Sequence, residues 1–166
     1  MKASCPEQGT ILVVDDQLGV RRLLREVFRL QGYRVVLASG GREAVGLARR
    51  VKPALALLDM RMPGMSGLET LDALRAVDPG LPVVIMTAVN DLEAGQALAR
   101  GAVRAISKPF DVREVRAMVD EIIRGRYPRD VPAPAQGQER VAEAQGSYGR
   151  GGDGVPGPEP RHPAER

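Results

Sequence analysis

LLDMRMPGM, residues 57 to 65, closes an apolar run on a single carboxylate, Asp59, and then turns at Pro63-Gly64. Together with Ala54 to Ala56 the run reads ALALL with no polar alternation, the pattern of a strand covered on both faces of a parallel sheet. A carboxylate at the tip of such a strand is costly to desolvate. It calls for a charge partner, a metal or a reaction to perform.

Working outward, four further aliphatic runs follow, several of them also without polar alternation: ILVV (11 to 14), RVVL (34 to 37), PVVIM (82 to 86) and VRAIS (103 to 107). Between them lie segments with apolar residues three and four apart, such as Val20, Leu23, Leu24 and Val27, each long enough for a crossover helix. Gly32, Gly80 and Gly101 stand where helices would stop, and Pro53 and Pro82 where strands would begin. Five βα units therefore follow one another. Right-handed crossovers predict an α/β fold with a doubly wound five-stranded parallel sheet, order 2-1-3-4-5, and five helices.

Composition bounds what such a fold can do. The chain has 166 residues, 43% of them hydrophobic, enough for one ordinary core with chain to spare. Its one cysteine, Cys5, excludes an internal disulfide and fits a reducing, cytoplasmic setting. No secretion signal and no membrane-spanning run is readable. The net charge of +3 is diffuse, with 18 basic and 15 acidic residues up to position 125 and six of each beyond it, and aromatics are 3% with no Trp. That pattern argues against nucleic-acid binding. Residues 127 to 166 hold seven Pro and seven Gly without aliphatic clusters, and the lone His162 among them has no specific role. The expected organisation is a flexible segment over 1–9, one domain over 10–125 and a disordered Pro/Gly-rich tail over 126–166, too short and broken to hold a helix-turn-helix output domain.

Polar residues end the strands. Asp15 and Asp16 follow the first, Asp59 the third, Thr87 the fourth and Lys108 the fifth. In an open α/β sheet ligands bind beyond the carboxyl ends of the strands where the strand order reverses, here between strands 1 and 3. Three acids, a hydroxyl and an ammonium thus converge on one crevice. Close carboxylates repel unless a cation neutralises them, and an all-oxygen set with few protein ligands suits Mg²⁺, with Mn²⁺ as a substitute. Lys108, one of three Lys beside 21 Arg, would place a compact ammonium opposite a bound phosphoryl group. Singly, each residue has an ordinary explanation: Asp15-Asp16 as a helix cap, Thr87 as a strand residue, Lys108 as a solvated end charge, Asp59 as a turn former. Coincidence at four strand ends is much harder to arrange.

At these positions the sequence resembles the receiver domain of two-component response regulators, over about 115 residues, through VVDD (13 to 16), LLDMRMPGMSG (57 to 67), IMTA (85 to 88) and SKPF (107 to 110). The resemblance implies the flavodoxin-like receiver fold, with Asp59 as phosphoacceptor. It implies Asp16 and Asp59 as direct Mg²⁺ ligands, Asp15 holding metal-bound water and the carbonyl of Arg61 completing the set. Thr87 and Lys108 would act on the phosphoryl group, and Lys108-Pro109 is expected to be a cis peptide. Gly64 and Gly67 are expected to be turn residues, and Met60, Met62 and Met65 loop packing.

DDQLGVRRLLREVF (15 to 28) and IMTAVNDLEAGQALARGAV (85 to 103) are similar to the single-domain receivers of sporulation phosphorelays. That implies a protein taking phosphate from a sensor histidine kinase and passing it to a histidine phosphotransferase; a monomer is the default expectation for its oligomeric state. Gln17, Gly19, Val20, Leu23, Pro109 and Phe110 would form the docking surface, although Val20 and Leu23 also fit a core stripe. Arg61 and Val89 would flank the site and tune hydrolysis. Ala105 stands where many receivers carry a Tyr or Phe switch, which favours phosphate carriage over a moving ring. A phosphorylation-dependent adaptor is the alternative, while a haloacid-dehalogenase-like phosphatase is disfavoured because Arg61 replaces its second acid. Catalysis proper would be limited to self-catalysed phosphotransfer and autodephosphorylation.

Overall fold

The computed structural model describes residues 8–88 and 92–125. Cys5, Val89, His162, most of the 1–9 segment and the 126–166 tail lie outside the described residues.

Ten elements alternate along the chain: β1 (Thr10–Val14), α1 (Leu18–Leu30), β2 (Arg34–Ala38), α2 (Gly41–Val51), β3 (Leu55–Asp59), α3 (Gly67–Val77), β4 (Val83–Ala88), α4 (Leu92–Ala99), β5 (Arg104–Lys108) and α5 (Val112–Ile123). All strand pairs are parallel, in the order β2-β1-β3-β4-β5. The doubly wound α/β sheet expected from the sequence is the observed one.

The unbroken apolar runs have a direct cause. Alternate residues of each inner strand enter separate cores: Leu12, Val14, Ala56, Leu58, Val83 and Ile85 meet α2, α3 and α4, while Ile11, Val13, Leu55, Leu57, Val84 and Met86 meet α1 and α5. Every position of β3 is buried. Period-2 geometry therefore calls for apolar residues on both faces, and no polar alternation survives before Asp59 at the strand's end. On α1, Leu24 and Phe28 are fully buried and Val20 is half-buried against the same core, whereas Leu23 is 47% exposed. Val20 thus belongs in part to the core stripe and Leu23 does not.

Local chemistry sets the ends. Ser66 and Glu69 form a reciprocal capping box at α3, the Ser66 Oγ accepting from the Glu69 N–H at 3.2 Å and the Glu69 carboxylate from the Ser66 N–H at 2.8 Å. Asp111 caps α5 by accepting from the Arg113 N–H at 2.7 Å. Gly64 takes a left-handed φ of +82° and serves the turn as expected. Gly67 does something else: a Cβ there would lie 2.5 Å from the Met60 Cα, so glycine is required for α3 to approach the end of β3 closely. Gly32 and Gly101 follow α1 and α4 with positive φ, while α3 already ends at Val77, ahead of Gly80. Met60 is buried and Met62 packs against the same core.

Candidate functional site

The site lies at the carboxyl end of the sheet, where β1 and β3 are neighbours and their following helices leave on opposite faces. Asp15, immediately after β1, is fully buried; Asp16 is exposed; Asp59, the last residue of β3, is 5% exposed. One carboxylate oxygen from each lies within 4.8 Å of the others. Lys108, the last residue of β5, reaches across: its Nζ is 2.6 Å from Asp15 Oδ2 and 3.3 Å from Asp59 Oδ1. The following Lys108-Pro109 peptide is cis, as expected.

The backbone orients these groups. Asp15 is held by its N–H on the Ala38 carbonyl at 3.1 Å, and its Oδ1 accepts from the Gln17 N–H at 2.8 Å. Asp59 Oδ1 receives a longer approach, 3.5 Å, from the Arg61 N–H. In the β3–β4 register Asp59 faces Met86, so the buried Thr87 stands one position beyond it on the adjacent strand. Arg61 itself is exposed at the rim. All five strand-end residues anticipated from the sequence are thus brought to one end of the sheet. Among them, Asp15, Asp16, Asp59 and Lys108 form one charged cluster.

That cluster is unbalanced. Burial, and next the charge of Asp15, hold the Asp59 carboxyl above its ordinary value, with the Lys108 ammonium and the Arg61 N–H opposing them. Burial by itself would lower the Lys108 ammonium, but hydrogen bonds and charge from Asp15 and Asp59 outweigh it and raise it. Three carboxylates against one ammonium leave room for a further positive charge. The donor set is oxygen throughout and partly exposed through Asp16, which fits a hard divalent ion that keeps some of its water.

One contributor has no motif to announce it. Arg21, in the first turn of α1, donates from Nη1 to the Asp15 carbonyl at 2.6 Å and to the Asp16 carbonyl at 3.0 Å. In the sequence it is one of several α1 arginines at helical spacing and is indistinguishable from Arg22, Arg25 and Arg29.

The sequence pattern of the response regulator receiver domain matches residues 11–120, the span from β1 into α5. The chain belongs to the response regulator receiver family. Receivers are the phosphorylatable modules of two-component systems and bind Mg²⁺ at an acidic pocket, and this receiver has an aspartate cluster there. It is similar to sporulation initiation phosphotransferase F of Bacillus subtilis, 41% identical over 114 residues that cover 68% of this chain and 92% of that protein. It is also 40% identical over 114 residues to regulatory protein AtoC of Escherichia coli, of which the match covers only 25%. Among solved structures it resembles chemotaxis protein CheY4 of Vibrio cholerae, with a TM-score of 0.64 and 28% identity over 68% of this chain and 97% of that one. No helix among the described residues is long and apolar enough to cross a membrane.

Proposed function

We propose that this receiver accepts a phosphoryl group on Asp59 from a sensor histidine kinase and relays it to a histidine phosphotransferase, acting as a monomer in the cytoplasm. The observation that carries the proposal is the buried Asp59 carboxylate set among Asp15, Asp16 and the Lys108 ammonium.

Asp16 and Asp59 would ligate Mg²⁺, or Mn²⁺, together with the carbonyl of Arg61, while Asp15 would hold its water. The ion, when bound, disperses charge on the phosphoryl oxygens. Asp59 acts as nucleophile: a carboxylate oxygen attacks phosphorus, the P–O bond forms as the P–N bond to the kinase histidine breaks, and the bond pair leaves with the ring. A ring protonated on its other nitrogen departs as neutral imidazole. Lys108 would supply positive charge on the side of the transferred group away from the ion, and Thr87 a hydroxyl donor. Return of the group to a second histidine, or slow attack by water, discharges the site. Arg61 and Val89 would set water's access.

Partner docking would use α1 and the segment after β5. Gln17, Gly19 and Pro109 are exposed, Leu23 is 47% exposed, and Val20 and Phe110 are half-buried at the same edge. Leu18, 49% exposed, adds an apolar group that the motifs do not mark. Such a surface suits a helical partner. Support for the relay comes from the similarity to sporulation initiation phosphotransferase F across 92% of that protein. The likeness to CheY4 along 97% of its chain favours a second reading, an adaptor that binds a partner when phosphorylated.

Incubation with Mg²⁺ and a small acyl phosphate, followed by mass mapping, should place one phosphoryl group on Asp59; an unmodified folded protein refutes the proposal. Labelled protein should then pass its label to a histidine phosphotransferase. Label leaving only as inorganic phosphate with every candidate phosphotransferase favours the adaptor.

A further inference from the structure

Successive carbonyls of an extended strand point to opposite sides. At Asp15-Asp16 both carbonyls instead meet one nitrogen, Arg21 Nη1, at 2.6 and 3.0 Å. A guanidinium nitrogen has two hydrogens in a fixed plane and can serve both acceptors at once. The chain therefore turns at this dipeptide around the Arg21 side chain, just where its two carboxylates must face Asp59.

The two acids depend on this contact unequally. Asp15 has further anchors in the Ala38 carbonyl, the Gln17 N–H and the Lys108 ammonium. Asp16 is exposed, and the bond from Arg21 to its carbonyl is the one side-chain hydrogen bond made to it among the described residues. The charge of Arg21 also acts on the neighbouring turn after β2. Glu43 in α2 accepts from both the N–H and the hydroxyl of Ser39 at 2.8 and 2.9 Å. Those bonds lower the Glu43 carboxyl, and the Arg21 charge adds to them.

We propose that Arg21 is a positioning residue for divalent-cation binding: by bridging the carbonyls of Asp15 and Asp16 it aims their carboxylates at Asp59 and sets the affinity of the acidic site. The inference rests on the metal site described under the proposed function. It makes a prediction that charge alone reverses. Deleting a cation beside an acidic cluster should tighten Mg²⁺ binding by Coulomb's law, whereas deleting a positioning group should weaken it.

The test is a Mg²⁺ titration of the full chain followed by calorimetry and by the amide resonance of Gln17, whose N–H reports on Asp15 Oδ1. Arg21→Ala should raise the Mg²⁺ Kd about 10-fold, the lower end of the usual effect of groups that orient metal ligands, and should shift the Gln17 resonance before metal is added. Arg22→Ala, which removes the same charge from an exposed neighbour, should leave both unchanged. Arg21→Met keeps the aliphatic stem without the donors and carries the same expectation if the alanine variant does not fold. Unchanged or tighter Mg²⁺ binding in a folded Arg21 variant overturns the inference while leaving the metal site standing. Wild-type protein that binds no Mg²⁺ overturns the site and this inference with it.

Discussion

The two ends of the sheet treat buried polar groups in opposite ways. At the amino end, Tyr33, just before β2, donates its hydroxyl to Asp120 Oδ1 of α5 at 2.7 Å, and Gln31 Nε2 approaches the other oxygen at 3.5 Å. One acid there meets two neutral donors, and the Tyr33 ring packs edge-on against Phe28, 6.2 Å between centroids at 79°. At the carboxyl end three carboxylates meet one ammonium. The first arrangement matches its acid with donors and joins α1 and α5 to the sheet, leaving only the Gln31 Oε1 buried without a hydrogen-bond partner among the described residues. The second is strained electrostatically until something positive arrives, the mark of a site built for a ligand rather than for stability.

Asp59→Asn gives the largest contrast. It should abolish phosphoryl incorporation from a small acyl phosphate altogether, measured by intact mass. In metal-free buffer the same change should raise the urea midpoint, because burial and Asp15 already disfavour the ionised Asp59 that it removes. A lowered midpoint would show that the carboxyl end is as well balanced as the amino end.

Lys108→Ala comes next. The ammonium at 2.6 and 3.3 Å from two buried acids is their counter-charge, and its loss should slow phosphorylation of Asp59 by about 100-fold, as the removal of one stabilising donor commonly does. Circular dichroism should show the fold intact. Wild-type rates and partner responses would dismiss Lys108 from the role.

Both ends were unequally legible beforehand. The inner strands announce themselves because two-sided burial demands apolar residues throughout, and polar residues stand out at their tips. The ladder bounds were less legible. ALALL suggests a strand over 54–58, yet β3 is Leu55–Asp59; VRAIS suggests 103–107, yet β5 is Arg104–Lys108. Apolar runs record burial, whereas backbone pairing continues beneath polar side chains, as the registers Asp59 with Met86 and Ala88 with Lys108 show. Asp59, Thr87 and Lys108 therefore sit within the hydrogen-bonded ladder and are held more rigidly than loop residues would be, whereas Asp15 and Asp16 follow β1. Arg21 and Gly67 were opaque for another reason: each acts on backbone atoms of the turn just before its helix, which leaves no periodicity to read. No periodicity marks Tyr33 with Asp120 either, 87 positions apart.

Tyr33→Phe probes the amino end by a smaller amount. It removes the shortest hydrogen bond to a half-buried carboxylate and should cost about 1–2 kcal/mol in urea unfolding, with phosphorylation of Asp59 unchanged. A transfer rate that fell with stability would mean that the two ends are coupled, and the contrast between them would fail.

The mildest test is alkaline titration. Burial first, then the hydrogen bond and charge of Asp120, push the Tyr33 phenol from 10.0 to about 12, with Arg124 opposing. Between those limits the unfolded chain has lost this proton and the folded chain retains it, so folding binds more protons and stability falls as pH rises. The contribution is fully present below about pH 10 and gone above about pH 12. Lys108 confuses the raw curve because its ammonium is also raised and titrates on the alkaline side. Subtracting the Tyr33→Phe profile removes that background: the difference should be flat up to about pH 10 and shrink towards about pH 12, with a matching late phenolate component in the ultraviolet that the variant lacks. A phenolate appearing at the ordinary pH would show that Tyr33 is free of Asp120, and the amino end would no longer be the closed counterpart of the acidic site.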